Sequence, residues 1–266
     1  MKLITIILAG IIWNTSVAAE TLRLAVTTSF DNSGLADVLL PEIKTDTGLD
    51  IQLLVVGTGQ ALRLGASGDV DAVLVHSRAA EDAFIAQDHG THRREIMYND
   101  FVILGPKTDP AEISDTVTLT AAMTQLADNS AVFVSRGDES GTHNAEKRLW
   151  AIAARDPATF GPWYRSVGAG MGTALNTASA MNAYILSDRA SWLNFKNKGS
   201  LEILFEGDPA LFNQYTFMPV NPNKGHQINH RGALALEAWL TSNYGQQTID
   251  NYTLLGSQLF NGNALQ

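Results

Sequence analysis

"AVFVSRGDESGTH", residues 131–143, runs from a short apolar stretch through a turn rich in Ser, Gly and charged groups into a segment of helical period. It reads as a strand (131–134), a glycine-punctuated turn, and a helix starting at Thr142. The same order recurs in "VTTSFDNSGL" (26–35) and "VGTGQAL" (56–62). Short runs rich in Val, Ile and Leu alternate with helical segments along most of the chain, the pattern of α/β units on a mostly parallel sheet. Strands are expected at 21–27, 50–56, 72–75, 96–104, 131–134, 201–205 and 215–220. Helices are expected at 34–45, 60–66, 78–87, 119–127, 142–154, 171–184 and 231–243. Met171, Leu175, Ala178, Met181 and Ile185 fall at helical spacing and read as core.

Two strands read as crossings: "YNDFVILGPKTDP" (98–110) and "YTFMPVNPNKG" (215–225), each punctuated by proline. A pair of crossings makes two lobes with a hinge. The expected division is a leader at 1–19, one discontinuous lobe at 20–104 and 220–266, and a second lobe at 105–219.

The leader expectation comes from "MKLITIILAGIIWNTSVAA": one Lys, an apolar run, then small Val17 and Ala19, the signature of an export signal cleaved after Ala19. The run is shorter than the roughly 20 residues that span a bilayer, so a soluble periplasmic protein is expected, with no membrane insertion. The chain has no Cys, hence neither a disulfide framework nor a lipid-modifiable cysteine. Its net charge of −9 argues against nucleic acid or anionic lipid as a partner. An anion would have to be held by local dipoles and few cations.

The three turns supply such dipoles. In an open α/β sheet they lie at the carboxyl ends of strands, where ligands sit. Each offers backbone N–H groups at a helix N-terminus, glycine allows close approach, and Ser or Thr adds uncharged donors. Arg136 contributes a planar fork of donors. Other chemistry fails on spacing. "GAGMG" (168–172) lacks the dinucleotide pattern and follows no convincing strand. "VGTGQALRLG" lacks the Lys of a P-loop, and the six His show no metal spacing. A secreted serine hydrolase using Ser140 or Ser29 stays open as an alternative, although no G-x-S-x-G elbow exists.

Together, "TTS…SG", "VGTGQAL", "GDVDAVLVHS", "MYNDFVILGP", "SRGDESGTH…E..LW", "GMGTAL" and "Y.LSDRASWL" resemble the periplasmic tungstate-binding proteins of tungstate ABC transporters, over about residues 22 to 206. The resemblance implies a two-lobe solute-binding fold of type II. It also implies capture of one tetrahedral oxyanion, delivery to a membrane permease, and neither catalysis nor cofactor; a monomer is expected. Carried onto this chain, the ligand donors are Thr28, Ser29, Thr58, Ser140, Gly141 and Thr142, with Arg136 as the charged ligand. Asp138 is expected behind Arg136, holding its fork, and Asp188–Arg189 as a similar structural pair. The family's longer TTTS run is shortened here, Ala25-Val26 preceding Thr27-Thr28-Ser29. Phosphate-binding proteins share a similar Arg-x-Asp-x-Ser-Gly-Thr loop, so molybdate, sulfate or phosphate remain alternatives.

Overall fold

The computed structural model describes residues 20–225 and 227–264; the expected leader lies outside them. The first lobe opens with β1 (Glu20–Thr27), α1 (Thr28–Asn32), α2 (Leu35–Thr47), β2 (Leu49–Val56), α3 (Thr58–Ser67), β3 (Ala72–Val75) and α4 (Arg78–Ala86). The long β4 (Arg94–Pro106) leads into the second lobe, which holds α5 (Leu119–Asp128), β5 (Phe133–Ser135), α6 (Gly141–Ile152) and β6 (Tyr164–Ser166). It continues with α7 (Met171–Met181), β7 (Tyr184–Asp188), α8 (Arg189–Asn194) and β8 (Leu201–Phe205). The return strand β9 (Phe212–Pro219), then α9 (His230–Leu240) and α10 (Asn243–Asp250), complete the first lobe.

One sheet runs through both lobes in the order β2-β1-β3-β9-β4-β7-β5-β6. β1 is parallel to β2 and β3, and β5 is parallel to β6 and β7. The two crossing strands run antiparallel to their neighbours. β4 changes partners midway: Arg94 to Asp100 lie beside β9, and Phe101 onward beside β7 and β8. The core follows this change. Ile96 and Met97 pack with Leu24, Leu74 and Phe217, whereas Phe101 and Ile103 pack with Phe133, Trp150 and Leu186. β3 and β7 are buried along their whole length because helices cover both faces, which is why "AVLV" and "YIL" are continuously apolar.

Several elements depart from the sequence expectation. The segment after β1 is itself a helix, capped by Thr27, whose Oγ1 accepts from the Phe30 N–H at 3.3 Å. The expected helix 171–184 stops at Met181, where Asn182 takes a left-handed conformation (φ 50°), and Tyr184 begins β7. Met171, Leu175 and Ala178 are core on α7, but Met181 is 41% exposed and Ile185 is buried from a strand. β6, β7, α8 and α10 are further elements that the sequence pattern missed.

Candidate functional site

The strand-to-helix turns of both lobes meet at one cleft of about 290 Å³. Thr28, Gly57, Gly59, Gln60 and Arg63 line one side, and Arg136, Asp138, Glu139 and Gly170 the other. The turns approach closely: a Cβ built on Gly59 would lie 4.0 Å from the Glu139 carbonyl oxygen. Ser29, Thr58, Ser140, Gly141 and Thr142 are buried in the same turns. Three helices present their N-termini here, capped by Gly57 (α3), Ser140 (α6) and Gly170 (α7). The Ser140 hydroxyl accepts from the His143 N–H at 3.2 Å, and the Ser140 carbonyl from Asn144, so the first-turn N–H groups of Gly141 and Thr142 have no helical partner.

Three side-chain donors are buried without acceptors. Thr58 Oγ1, Thr142 Oγ1 and Arg136 Nε are all shielded from solvent and meet no hydrogen-bond partner among the described residues. Orphans of this kind are rare in a folded protein and call for an explanation, a ligand being one. The Arg136 Nη2 donates to Asp138 Oδ2 at 2.5 Å, and Asp138 Oδ1 accepts from the Ser140 N–H at 3.2 Å. Burial pushes the Asp138 carboxyl up, but Ser140 and the Arg136 charge outweigh it and hold the group below its usual value. The turn between them depends on Gly137 (φ 61°), where a Cβ would fall 1.7 Å from Ser166 Oγ.

His76, which sequence reasoning missed, sits just past the end of β3. Its Nε2 lies 3.0 Å from Ser29 Oγ, and its ring packs on Tyr215 with centroids 4.8 Å apart. It faces Gly141 of the other lobe, where a Cβ would meet the ring at 2.4 Å, and both residues line a larger cavity beside the cleft. Burial, reinforced by the Arg136 charge, lowers its pKa to about 4, so the imidazole is neutral. A Ser beside a His invites comparison with a hydrolase. Here, however, Nδ1 has no carboxylate partner among the described residues, and Ser29 is only 1% exposed. At Ser140 the imidazole of His143 is turned away, its Nδ1 accepting from the Glu139 N–H at 3.1 Å.

"GAGMG", set aside in the sequence because it lacks the dinucleotide spacing and follows no convincing strand, does follow one: the three-residue β6 precedes it, and its Gly170 lines the cleft. Arg63, exposed on α3 and bonded to Gln60, is a second cation at the cleft. The expected Asp188–Arg189 pair does not form. Asp188 caps α8 through the Ser191 N–H (2.8 Å), while Arg189 binds Asp100 and Glu206. A larger cavity of about 1120 Å³ lies between α4 and α6, but Glu81, Asp82 and Glu95 line it and occupy Arg78 and Arg93. Its third arginine, Arg148, donates to the Ala210 carbonyl. Among the described residues no group of three or more His, Asp or Glu could hold a metal ion, and no helix is long and apolar enough to cross a membrane.

A model of the PBP superfamily domain matches residues 14–244. The tungstate-binding protein TupA of Peptoclostridium acidaminophilum is 43% identical over 251 residues, covering 93% of this chain and 87% of the relative. The solved structure of the tungstate-binding protein TupA of Desulfovibrio alaskensis G20 superposes with a TM-score of 0.81 at 42% identity, covering 92% of this chain and 99% of the other. A structure described as the tungstate ABC transporter from Geobacter sulfurreducens gives 0.81 at 45% identity, covering 88% and 100%. With the fold and most of both chains in common, this chain belongs to the PBP superfamily and, within it, to the family of the TupA tungstate-binding proteins, which are binding proteins and not enzymes.

Proposed function

We propose that this chain is an extracytoplasmic solute-binding protein that captures tungstate between its lobes and delivers it to the permease of an ABC transporter. One observation carries the reading: the orphaned Thr58 Oγ1, Thr142 Oγ1 and Arg136 Nε, buried in the turns around one cleft. A tetrahedral oxyanion brings four acceptor atoms, which would satisfy these donors together with the N–H groups of Gly141 and Thr142 and the hydroxyls of Thr28, Ser29 and Ser140. Helix N-termini and Arg136 offset the hydration that a dianion gives up. Each oxygen of Asp138 already accepts a hydrogen bond, from Arg136 and from the Ser140 N–H, so Asp138 serves to position the guanidinium rather than to accept from a protonated ligand. That favours a fully deprotonated anion over hydrogen phosphate.

The partner change in β4 supports a hinge at Asp100–Phe101, with the return at the start of β9, which puts 101–211 in the second lobe rather than 105–219. Export by the leader and residence in the periplasm as a monomer complete the reading. Calorimetric titration with tungstate, molybdate, chromate, sulfate and phosphate tests it: tungstate is expected to bind at one site and most tightly of the sulfate-to-tungstate series. Absence of heat with every anion, or a preference for phosphate, would overturn it.

A further inference from the structure

The charged groups that line the 290 Å³ cleft are arranged by depth. Arg136, only 3% exposed, lies inside and is paired with Asp138 across 2.5 Å. Arg63, on the second turn of α3, and Glu139, in the turn before α6, line the same cleft but stand exposed to solvent, so they mark its mouth. The lobes meet between them. The ideal Cβ position of Gly59 lies 3.6 Å from Arg63 Nη1 and 4.0 Å from the Glu139 carbonyl oxygen.

The two arginines differ in what they can do at a distance. Arg136 is offset by Asp138, and a pair that tight presents little field to an anion still in solvent. Helix N-termini act only over about their first turn. Arg63 pairs with no carboxylate among the described residues. Its Nε and Nη2 both donate to Gln60 Oε1, at 3.1 and 2.9 Å, a neutral acceptor that fixes one edge of the guanidinium. Nη1, on the Gly59 side, is left without a protein acceptor among the described residues. The Glu139 carboxylate is likewise unpaired among them; only its backbone is held, the N–H donating to His143 and the carbonyl accepting from Asn144. Arg63 and Arg136 thus balance Asp138 and Glu139 around the cleft. Without Arg63 the lining would be net negative, in a chain that already carries −9.

We infer that Arg63 is the capture residue of the site: from the mouth of the cleft it offsets Glu139 and draws the dianion in through solvent, without becoming one of its ligands. Gln60 holds it at the surface, and the buried donors take the anion from there. The inference rests on the reading of this cleft as the oxyanion site. Its size follows from Coulomb's law: a unit charge about 10 Å from a dianion in water changes the local concentration of that dianion about fourfold. Salt at about 0.5 M screens most of the effect.

Titration calorimetry with sodium tungstate, at about 10 mM and about 0.5 M sodium chloride, tests it. At low salt Arg63→Gln is expected to weaken binding about fourfold and Arg63→Glu about sixteenfold, because the effect compounds with each unit of charge removed. Arg63→Lys is expected to bind like the native chain, since the mouth needs a charge and not a planar fork. Glu139→Gln is expected to tighten binding about fourfold. At high salt all four variants are expected to fall within about 1.5-fold of the native chain. A loss in Arg63→Gln that persists at high salt, or that Arg63→Lys does not restore, would make Arg63 a contacting or structural residue and overturn the inference. So would the absence of any loss at low salt. If Arg136→Ala loses tungstate while the Arg63 variants match the native chain, the reading of the cleft stands and the inference about Arg63 alone falls. If the native chain binds no tungstate at either salt, that reading fails and the inference with it.

Discussion

Arg136 donates from Nη2 to Asp138 Oδ2 across 2.5 Å, while its equally buried Nε meets no acceptor. Half of the guanidinium fork is thus held by its own turn and half is left for a ligand. Arg136→Ala is expected to weaken tungstate binding by at least about 3 kcal/mol, more than about a hundredfold, because it removes the buried cation and leaves the Asp138 carboxylate facing the anion. Arg136→Lys is expected to recover little, since an ammonium keeps the charge but loses the planar fork. Titration calorimetry of the three proteins measures the order. Binding by Arg136→Ala within about tenfold of the native chain would reduce Arg136 to an ion-pair partner of Asp138.

Thr58→Val separates binding from stability. The buried Oγ1 has no partner, so deleting it at nearly constant volume removes an unfavourable desolvated group. The variant is expected to bind tungstate about 1–2 kcal/mol more weakly while the ligand-free protein melts at the same or a higher temperature. Scanning calorimetry without ligand checks the second half; a clear loss of ligand-free stability would mean that the hydroxyl has a structural partner.

Gly137→Ala is expected to destabilise the Arg136 turn for two reasons. A left-handed φ of 61° costs an L-residue about 1–2 kcal/mol, and the new Cβ would fall 1.7 Å from Ser166 Oγ. Adding Ser166→Ala, which leaves only a Cβ about 3.0 Å away, is expected to recover the steric part and not the backbone part. Denaturant titration of the single and double variants measures the split.

How much of this was legible in the sequence follows from where the information lies. The three turns could be read because each is local: a Val-rich strand, then Gly, Ser, Thr or Arg, then a helix within ten residues. His76 could not, since its partners Ser29 and Gly141 are brought to it only by the sheet; "VLVH" alone looks like the end of a strand. β7 went unread, the expected helix running on to Tyr184 and Ile185 falling at helical spacing, because buried strands and buried helix faces are both continuously apolar, and the left-handed Asn182 divides them. The change of strand partners within β4 has no Gly or Pro to mark it. It is set by which strands lie beside Asp100 and Phe101, whereas the punctuation at Gly105-Pro106 marks only the strand's end.

Glu146, from the "E..LW" stretch, is buried on α6 behind the site. Burial raises its pKa from the ordinary 4.5 to about 7, despite hydrogen bonds from Tyr164 Oη (2.5 Å) and Trp150 Nε1 (3.2 Å). Between those values the folded protein keeps a proton that the unfolded chain has released, so this group's contribution to stability falls as pH rises from 4.5 to 7. The full effect is about 3 kcal/mol. Glu146→Gln is expected to lose that slope and to gain on the native chain as pH rises toward 8. Denaturation at pH 5 and pH 8 compares the two, and parallel pH profiles would contradict the buried-carboxyl account.

The central claim is that one oxyanion sits between the lobes at the three turns. Anomalous diffraction at a tungsten absorption edge, from crystals grown with tungstate, tests it most directly. The account predicts a single strong peak within hydrogen-bonding reach of Arg136, Thr58 and Thr142, with the Nε of Arg136 directed at the anion. A peak only in the larger cavity between α4 and α6, only on the outer surface, or none despite tungstate binding in solution would contradict it.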